Sequence, residues 1–186
     1  MPDPPDDPGE RTESGVPTFH GKHDATDRRN STNTWHECKA HGDVGENKVA
    51  MLLRRIGCKA KTIALDGQHG GDLLVTWPGG LVERVEVKTD RLVHVTGNLA
   101  IELARRSGVG QVRSGVNFSA SDLFAFPLDA GVLLVPTAGL RELANRPGWN
   151  LVWCGDGGRS RCALVPVLHV QALDGARLLT WRGGSQ

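Results

Sequence analysis

The chain has 186 residues, 39% of them apolar and 23% charged, with a formal net charge of +1. That is enough for one domain with a core, or one domain plus a tail. No apolar run reaches the ~18 residues a transmembrane helix needs, so no membrane partner is expected. The acidic, Pro-rich start, Met1-Pro-Asp-Pro-Pro-Asp-Asp-Pro8, is the opposite of a secretory signal or a mitochondrial presequence.

Residues 1–34 carry seven acids against four bases, leaving the rest of the chain mildly basic. Their only apolar side chains are Met1, Val16, Phe19 and Ala25. Such a segment buries too little to offset its ordering entropy, so 1–34 reads as a disordered acidic arm and 35–186 as a single domain. Asp43–Ile56 is the first predicted helix. Asp43 stands at its cap and Glu46 three residues on, as in a capping box; Val49, Leu52, Leu53 and Ile56 keep helical spacing, and Gly57 stops it. A strand follows at Lys59–Leu65, then a Gly-rich turn through 66–71. Asp72–Trp77 and Leu81–Lys88 read as a hairpin joined by Pro78-Gly79-Gly80. Asn98–Leu103 is the next strand, and 105–117 reads as a basic Gly/Ser loop. Leu123–Leu128 and Gly131–Pro136 are two apolar strands. Thr137 is placed to cap a helix to about Asn145, and apolar stretches recur at Ala163–Val167 and Ala176–Trp181. This order implies an α/β fold: a central mixed sheet flanked by helices.

The local signal for chemistry is Val85-Glu86-Val87-Lys88. On a strand, Arg84, Glu86 and Lys88 share one face, and an α/β strand that spends a face on charge is an exposed edge or the floor of a site. The hairpin brings Asp72 beside Glu86 and Lys88. Two carboxylates there make a hard-oxygen site suited to Mg²⁺ or Mn²⁺, with a lysine to hold water and offset phosphate charge. A surface hairpin with a cross-strand ion pair fits the same spacing.

Asp72 and Glu86-Val87-Lys88, after a helix carrying Glu46, resemble the PD-(D/E)xK nuclease superfamily, the restriction-endonuclease-like fold. The continuation Thr89-Asp90, Thr96-Gly-Asn-Leu-Ala-Ile-Glu102, Ser114-Gly115 and Ala120-Ser-Asp122 is similar to a resolvase-like and phage nuclease group within it. Gly71 stands where the pattern has proline. The resemblance implies that Asp72, Glu86 and the Val87 carbonyl bind Mg²⁺, for which Mn²⁺ can substitute, and that Lys88 orients and helps deprotonate the attacking water. It also implies that Glu46 completes the metal site; capping at Asp43 is the competing role for Glu46. The implied protein is a Mg²⁺-dependent DNA endonuclease, structure-selective in the manner of a Holliday-junction resolvase. The implied setting is a homodimer in the cytoplasm of a bacterial or phage-infected cell. The alternatives are a restriction- or repair-type nuclease with sequence preference, and a non-catalytic DNA-binding or interaction module that keeps the fold.

Other features bear on DNA. Arg105, Arg106 and Arg113 in the basic loop suit phosphate contact without sequence reading. Arg54, Arg55, Lys59 and Lys61 form a second cluster. Asn98 and Glu102 share a strand face, either to orient the Lys88 region or contact DNA, or simply as the polar side of an amphipathic strand. Asp122 reads as a turn or helix-start residue. Cys38 and His41, with His36, have loosely zinc-like spacing. Cys154 and Cys162 match no common zinc pattern, so the four cysteines are expected as free thiols in a reducing compartment. With no tyrosine, and aromatics that do not interleave with the basic clusters, a base-stacking platform is disfavoured.

Overall fold

The structure is a computed structural model and describes residues 35–63, 71–108, 110–155 and 158–181. The arm expected at 1–34 lies outside these residues. So do the Cys38 side chain and most of the turn at 66–71.

Helix α1 spans Trp35–Arg55, starting eight residues before the expected boundary. Asp43 therefore lies inside the helix. Its carboxylate accepts from Lys39 one turn earlier, at 3.4 Å, an i,i+4 pair that favours continuation over capping. The end is as read: Gly57 takes φ 92°, a left-handed conformation that costs a glycine little.

Ten strands follow. A six-stranded sheet has the order β1-β2-β3-β6-β7-β10, from β1 (Lys59–Thr62), β2 (Leu73–Thr76), β3 (Val82–Val87), β6 (Leu123–Leu128), β7 (Gly131–Pro136) and β10 (Arg177–Thr180). Its neighbours are antiparallel except β3 and β6, which pair in parallel with Val85 opposite Leu123 and Val87 opposite Ala125. The fold is mixed α/β around a central mixed sheet. A second, antiparallel sheet of order β5-β4-β9-β8 was not expected as a separate layer. It is built from β4 (Asn98–Ser107), β5 (Gly110–Arg113), β8 (Asn150–Cys154) and β9 (Ser160–Pro166). Short helices α2 (Val93–Thr96), α3 (Thr137–Ala144) and α4 (Val167–Gln171) connect the strands.

Alternation along the central strands explains two cores. Leu73, Val75, Val85, Val87, Ala125 and Leu134 face α1, where Val49, Leu52 and Leu53 meet them. Phe124, Phe126, Leu133 and Val135 point the other way, onto Leu99, Ile101, Ala163 and Val165 of the second sheet and Leu140 and Leu143 of α3. In β6 and β7 successive residues are buried on alternate sides, as in strands covered on both faces.

Three further readings need correction. The segment 105–117 is largely strand, because β4 continues to Ser107 and pairs with β5. Thr137 does not cap α3: it is the first helical residue, Pro136 occupies the cap, and the buried Thr137 Oγ1 has no hydrogen-bond partner. Cys154 and Cys162 are joined in a disulfide, with Cα atoms 6.7 Å apart, and of the described cysteines Cys58 is free and buried. The β8–β9 pairing places Cys154 opposite Ser160 and so next to Cys162, a proximity that linear spacing does not show.

Candidate active site

The β2–β3 hairpin sets the geometry. Leu73 lies opposite Val85, and the Asp72 N–H donates to Val85 O at 2.8 Å, so Asp72 extends the ladder at the level of Glu86. Its Oδ2 accepts from the Val87 N–H at 2.7 Å. Gly71, with φ 88°, makes the approach possible: a Cβ there would sit 2.7 Å from Ser121 Oγ and 3.0 Å from Val85 O. Glycine at this position thus serves a close backbone contact.

Glu86 turns away from the α1 core. One oxygen, Oε1, meets Lys88 Nζ at 2.7 Å. The other lies 3.3 Å from Ser119 Oγ and 3.5 Å from Ser121 Oγ. Both serines are buried and bonded to one another at 3.0 Å. Their loop is pinned by Arg141 of α3, which donates to Ser119 O and Val116 O at 2.9 and 2.8 Å. Lys88 extends to solvent, with 46% of its side chain exposed, beside a Glu86 that is only 17% exposed. Next in the chain, Thr89 packs against the α1 backbone at Gly45, where a Cβ would strike the threonine hydroxyl. That contact fixes the helix beside the end of β3 and carries Glu46 with it.

The charges act on one another. Burial raises the Asp72 pKa above the usual aspartate value; the Val87 N–H and Lys88 pull it down, and Glu86 pushes it further up. Burial also raises Glu46, aided by the charges of Asp72 and Asp43 against those of Lys39 and Lys88. For Lys88, burial works against the charge, but Glu86, its hydrogen-bond partner, together with Asp72 and Glu102, outweighs this and holds the pKa above the ordinary lysine value. Lys88 is therefore a cationic donor at neutral pH, whereas the family resemblance also implied a part in deprotonating water.

Asp72, Glu86 and Lys88 thus come together, with the Val87 backbone between the two carboxylates. Glu46 is in the same electrostatic neighbourhood, and its capping alternative falls away because Asp43 is not a cap. Among the described residues no group of three His, Cys, Asp or Glu side chains forms a ready-made metal cage. The donor set still fits a hard divalent cation of the Mg²⁺ type, which takes one or two carboxylates and keeps several waters. The upward push of the Glu86 charge on Asp72 is the repulsion that such a cation would relieve.

Several expected residues stand elsewhere. Asn98 donates its amide to Thr96 O at 3.0 Å, closing a local turn, and it is Glu102 that acts on Lys88. Glu102 also accepts from Ser114 Oγ at 2.5 Å. Asp122 accepts from the Arg84 N–H at 2.8 Å, tying the start of β6 to β3. Arg105, Arg106 and Arg113 are on strands β4 and β5, not on a loop. Arg54 is engaged by Ala60 O at 3.1 and 2.6 Å and Arg55 by Trp181 O at 2.5 Å, so this cluster closes the end of α1. Sequence reasoning gave no role to Ser119, Ser121 or Arg141; Ser121 had appeared only as part of a motif, and Ser119 and Arg141 carried no local signal.

Among solved structures, the chain is similar to a bacterial homing endonuclease, I-Ssp6803I, with a TM-score of 0.47 and 20% identity, over 68% of this chain and 77% of that one. No family model and no curated protein matches the chain. Among the described residues no helix is long and apolar enough to cross a membrane.

Proposed function

We propose that the protein is a Mg²⁺-dependent DNA endonuclease of the PD-(D/E)xK type. The observation that carries this reading is the convergence of Asp72, Glu86 and Lys88 at the end of one hairpin, with Asp72 bonded to the Val87 N–H and Glu86 to Lys88. A surface ion pair would need one carboxylate. Here a second, half-buried one is held beside the first at an electrostatic cost, an arrangement that recurs at functional sites.

Asp72, Glu86 and the Val87 carbonyl are the groups that would hold Mg²⁺, or Mn²⁺ in its place, with Glu46 as a further acid from α1. When bound, such an ion lends Lewis acidity to a phosphodiester oxygen and lowers the pKa of water. The chain's own part is positional and electrostatic. Lys88, held charged by Glu86, can orient a water and stabilise negative charge that develops on a phosphate. Ser119 and Ser121 hold the second Glu86 oxygen and so fix the carboxylate's rotamer. The substrate proposed is duplex DNA, resolvase-like structure selectivity being one form of the activity, and a homodimer would offer two sites for two strands.

The test is a panel of linear duplex, single strand, flap and four-way junction in Mg²⁺ and in Mn²⁺. The expected result is cleavage of at least one duplex-containing member that stops with chelator. Metal-independent binding without cleavage of any member would favour the non-catalytic DNA-binding module instead.

A further inference from the structure

The second sheet carries more than a core layer. In β4, Leu99 and Ile101 are buried, but from Arg105 onward the strand is exposed, as is all of β5. The change comes at a bulge between Glu102 and Ala104, where Glu102 holds Ser114 and acts on Lys88. The exposed ribbon therefore springs from the edge of the candidate active site.

Beyond the bulge, directly opposed residues share a face. Ala104 pairs with Arg113 and with Arg161, Arg106 pairs with Gln111, and Trp153 pairs with Arg161. One face thus bears Arg106, Gln111, Arg113, Arg161 and Trp153, while Arg105, opposite Val112 and Ser160, belongs to the other. Among the described residues none of these arginines makes an ion pair. The Arg106 guanidinium lies 4.2 Å over the Trp153 ring. Stacking engages the plane of the guanidinium and leaves its N–H edge for a partner.

We propose that this face reads duplex DNA by sequence: the β4–β5 ribbon enters the major groove and presents Arg106, Gln111 and Arg113 to base edges. The inference rests on the nuclease reading above and deepens it. A two-stranded ribbon fits the major groove, where arginine pairs bidentately with guanine and glutamine with adenine. Cations alone would satisfy phosphates; a glutamine directly opposite a stacked arginine offers the acceptor and donor that base readout uses. Trp153 holds Arg106 in one orientation before binding, which lowers the ordering cost of a specific contact. Arg105, on the far face, is left for the phosphate backbone.

The experiment is selection from a randomised duplex library by the full chain, with Ca²⁺ in place of Mg²⁺, alongside plasmid cleavage in Mg²⁺. The wild type is expected to enrich one sequence. Gln111→Ala or Arg113→Ala should each lower discrimination at a single base pair by about 10- to 100-fold, while Arg105→Ala should weaken all sequences alike. These exposed side chains make no core contact, so the variants should fold, and circular dichroism checks that. Cleavage without any enriched sequence would overturn this inference and leave the nuclease reading standing, as would a preference that survives both variants. Neither binding nor cleavage would remove the nuclease reading, and this inference with it.

Discussion

Asp72 is held on the Val87 N–H while burial and Glu86 raise its pKa. The sign of the consequence is fixed by linkage. A carboxyl whose folded pKa lies above its unfolded one costs no stability below the unfolded value, and destabilises increasingly as pH rises past it. In chelator, Asp72→Asn should therefore raise Tm at pH 7, with the gain fading below about pH 4, the ordinary aspartate range. Thermal melts across pH test this, and a loss of Tm at pH 7 would contradict it. Asparagine can still accept from Val87, so the fold contact survives the change. Mn²⁺ or Ca²⁺ should stabilise the wild type by mass action, about 2.7 kcal/mol at a hundredfold excess over Kd, and Asp72→Ala should erase that gain. A metal-induced Tm shift equal in both proteins would place the ion elsewhere.

At the scale of elements, α1 and β3 make the site together. Leu53 is fully buried between them, and Leu53→Ala should cost about 2–5 kcal/mol in denaturant unfolding. Gly45 is the tighter constraint, because Thr89 packs on its Cα. Gly45→Ala would push Thr89, and with it the adjoining Lys88, out of place. Cleavage should fall by up to about 10²-fold, and the additional change Thr89→Ala, which removes the clashing hydroxyl, should recover much of it. Single-turnover rates on the two variants provide the check. The hairpin and its charged triad were legible in the sequence because Arg84–Lys88 alternates charged and apolar residues and Asp72 lies one register step before the ladder. The apolar strands β6 and β7 were equally plain. The start of α1 was not, since Asp43 reads as a cap by residue type and only the helix running from Trp35 shows it to be internal. Strand β8 escaped notice because Asn150–Cys154 is short, mostly solvent-facing, and follows a Pro/Gly turn. The serine platform under Glu86 depends on a parallel β3–β6 pairing that joins residues more than 30 positions apart, and local patterns carry no trace of it.

At the scale of the whole molecule, the two sheets divide the work. The central sheet, packed on α1 and buried on both faces at β6 and β7, supplies the floor for Asp72, Glu86 and Lys88; the second extends past the core as an arginine-bearing ribbon without ion pairs among the described residues. Binding to duplex should therefore be strongly salt-dependent, with log K falling by about 0.9 per neutralised phosphate for each unit of log salt. Arg105→Ala/Arg106→Ala should flatten that slope; an unchanged slope would remove the ribbon from the interface. The most direct measurement of the central claim compares wild type and Lys88→Ala on the same duplex substrate in Mg²⁺, with affinity measured in parallel. The account predicts at least about a 10²-fold loss of cleavage with DNA binding largely retained. Equal cleavage by the two proteins would contradict it.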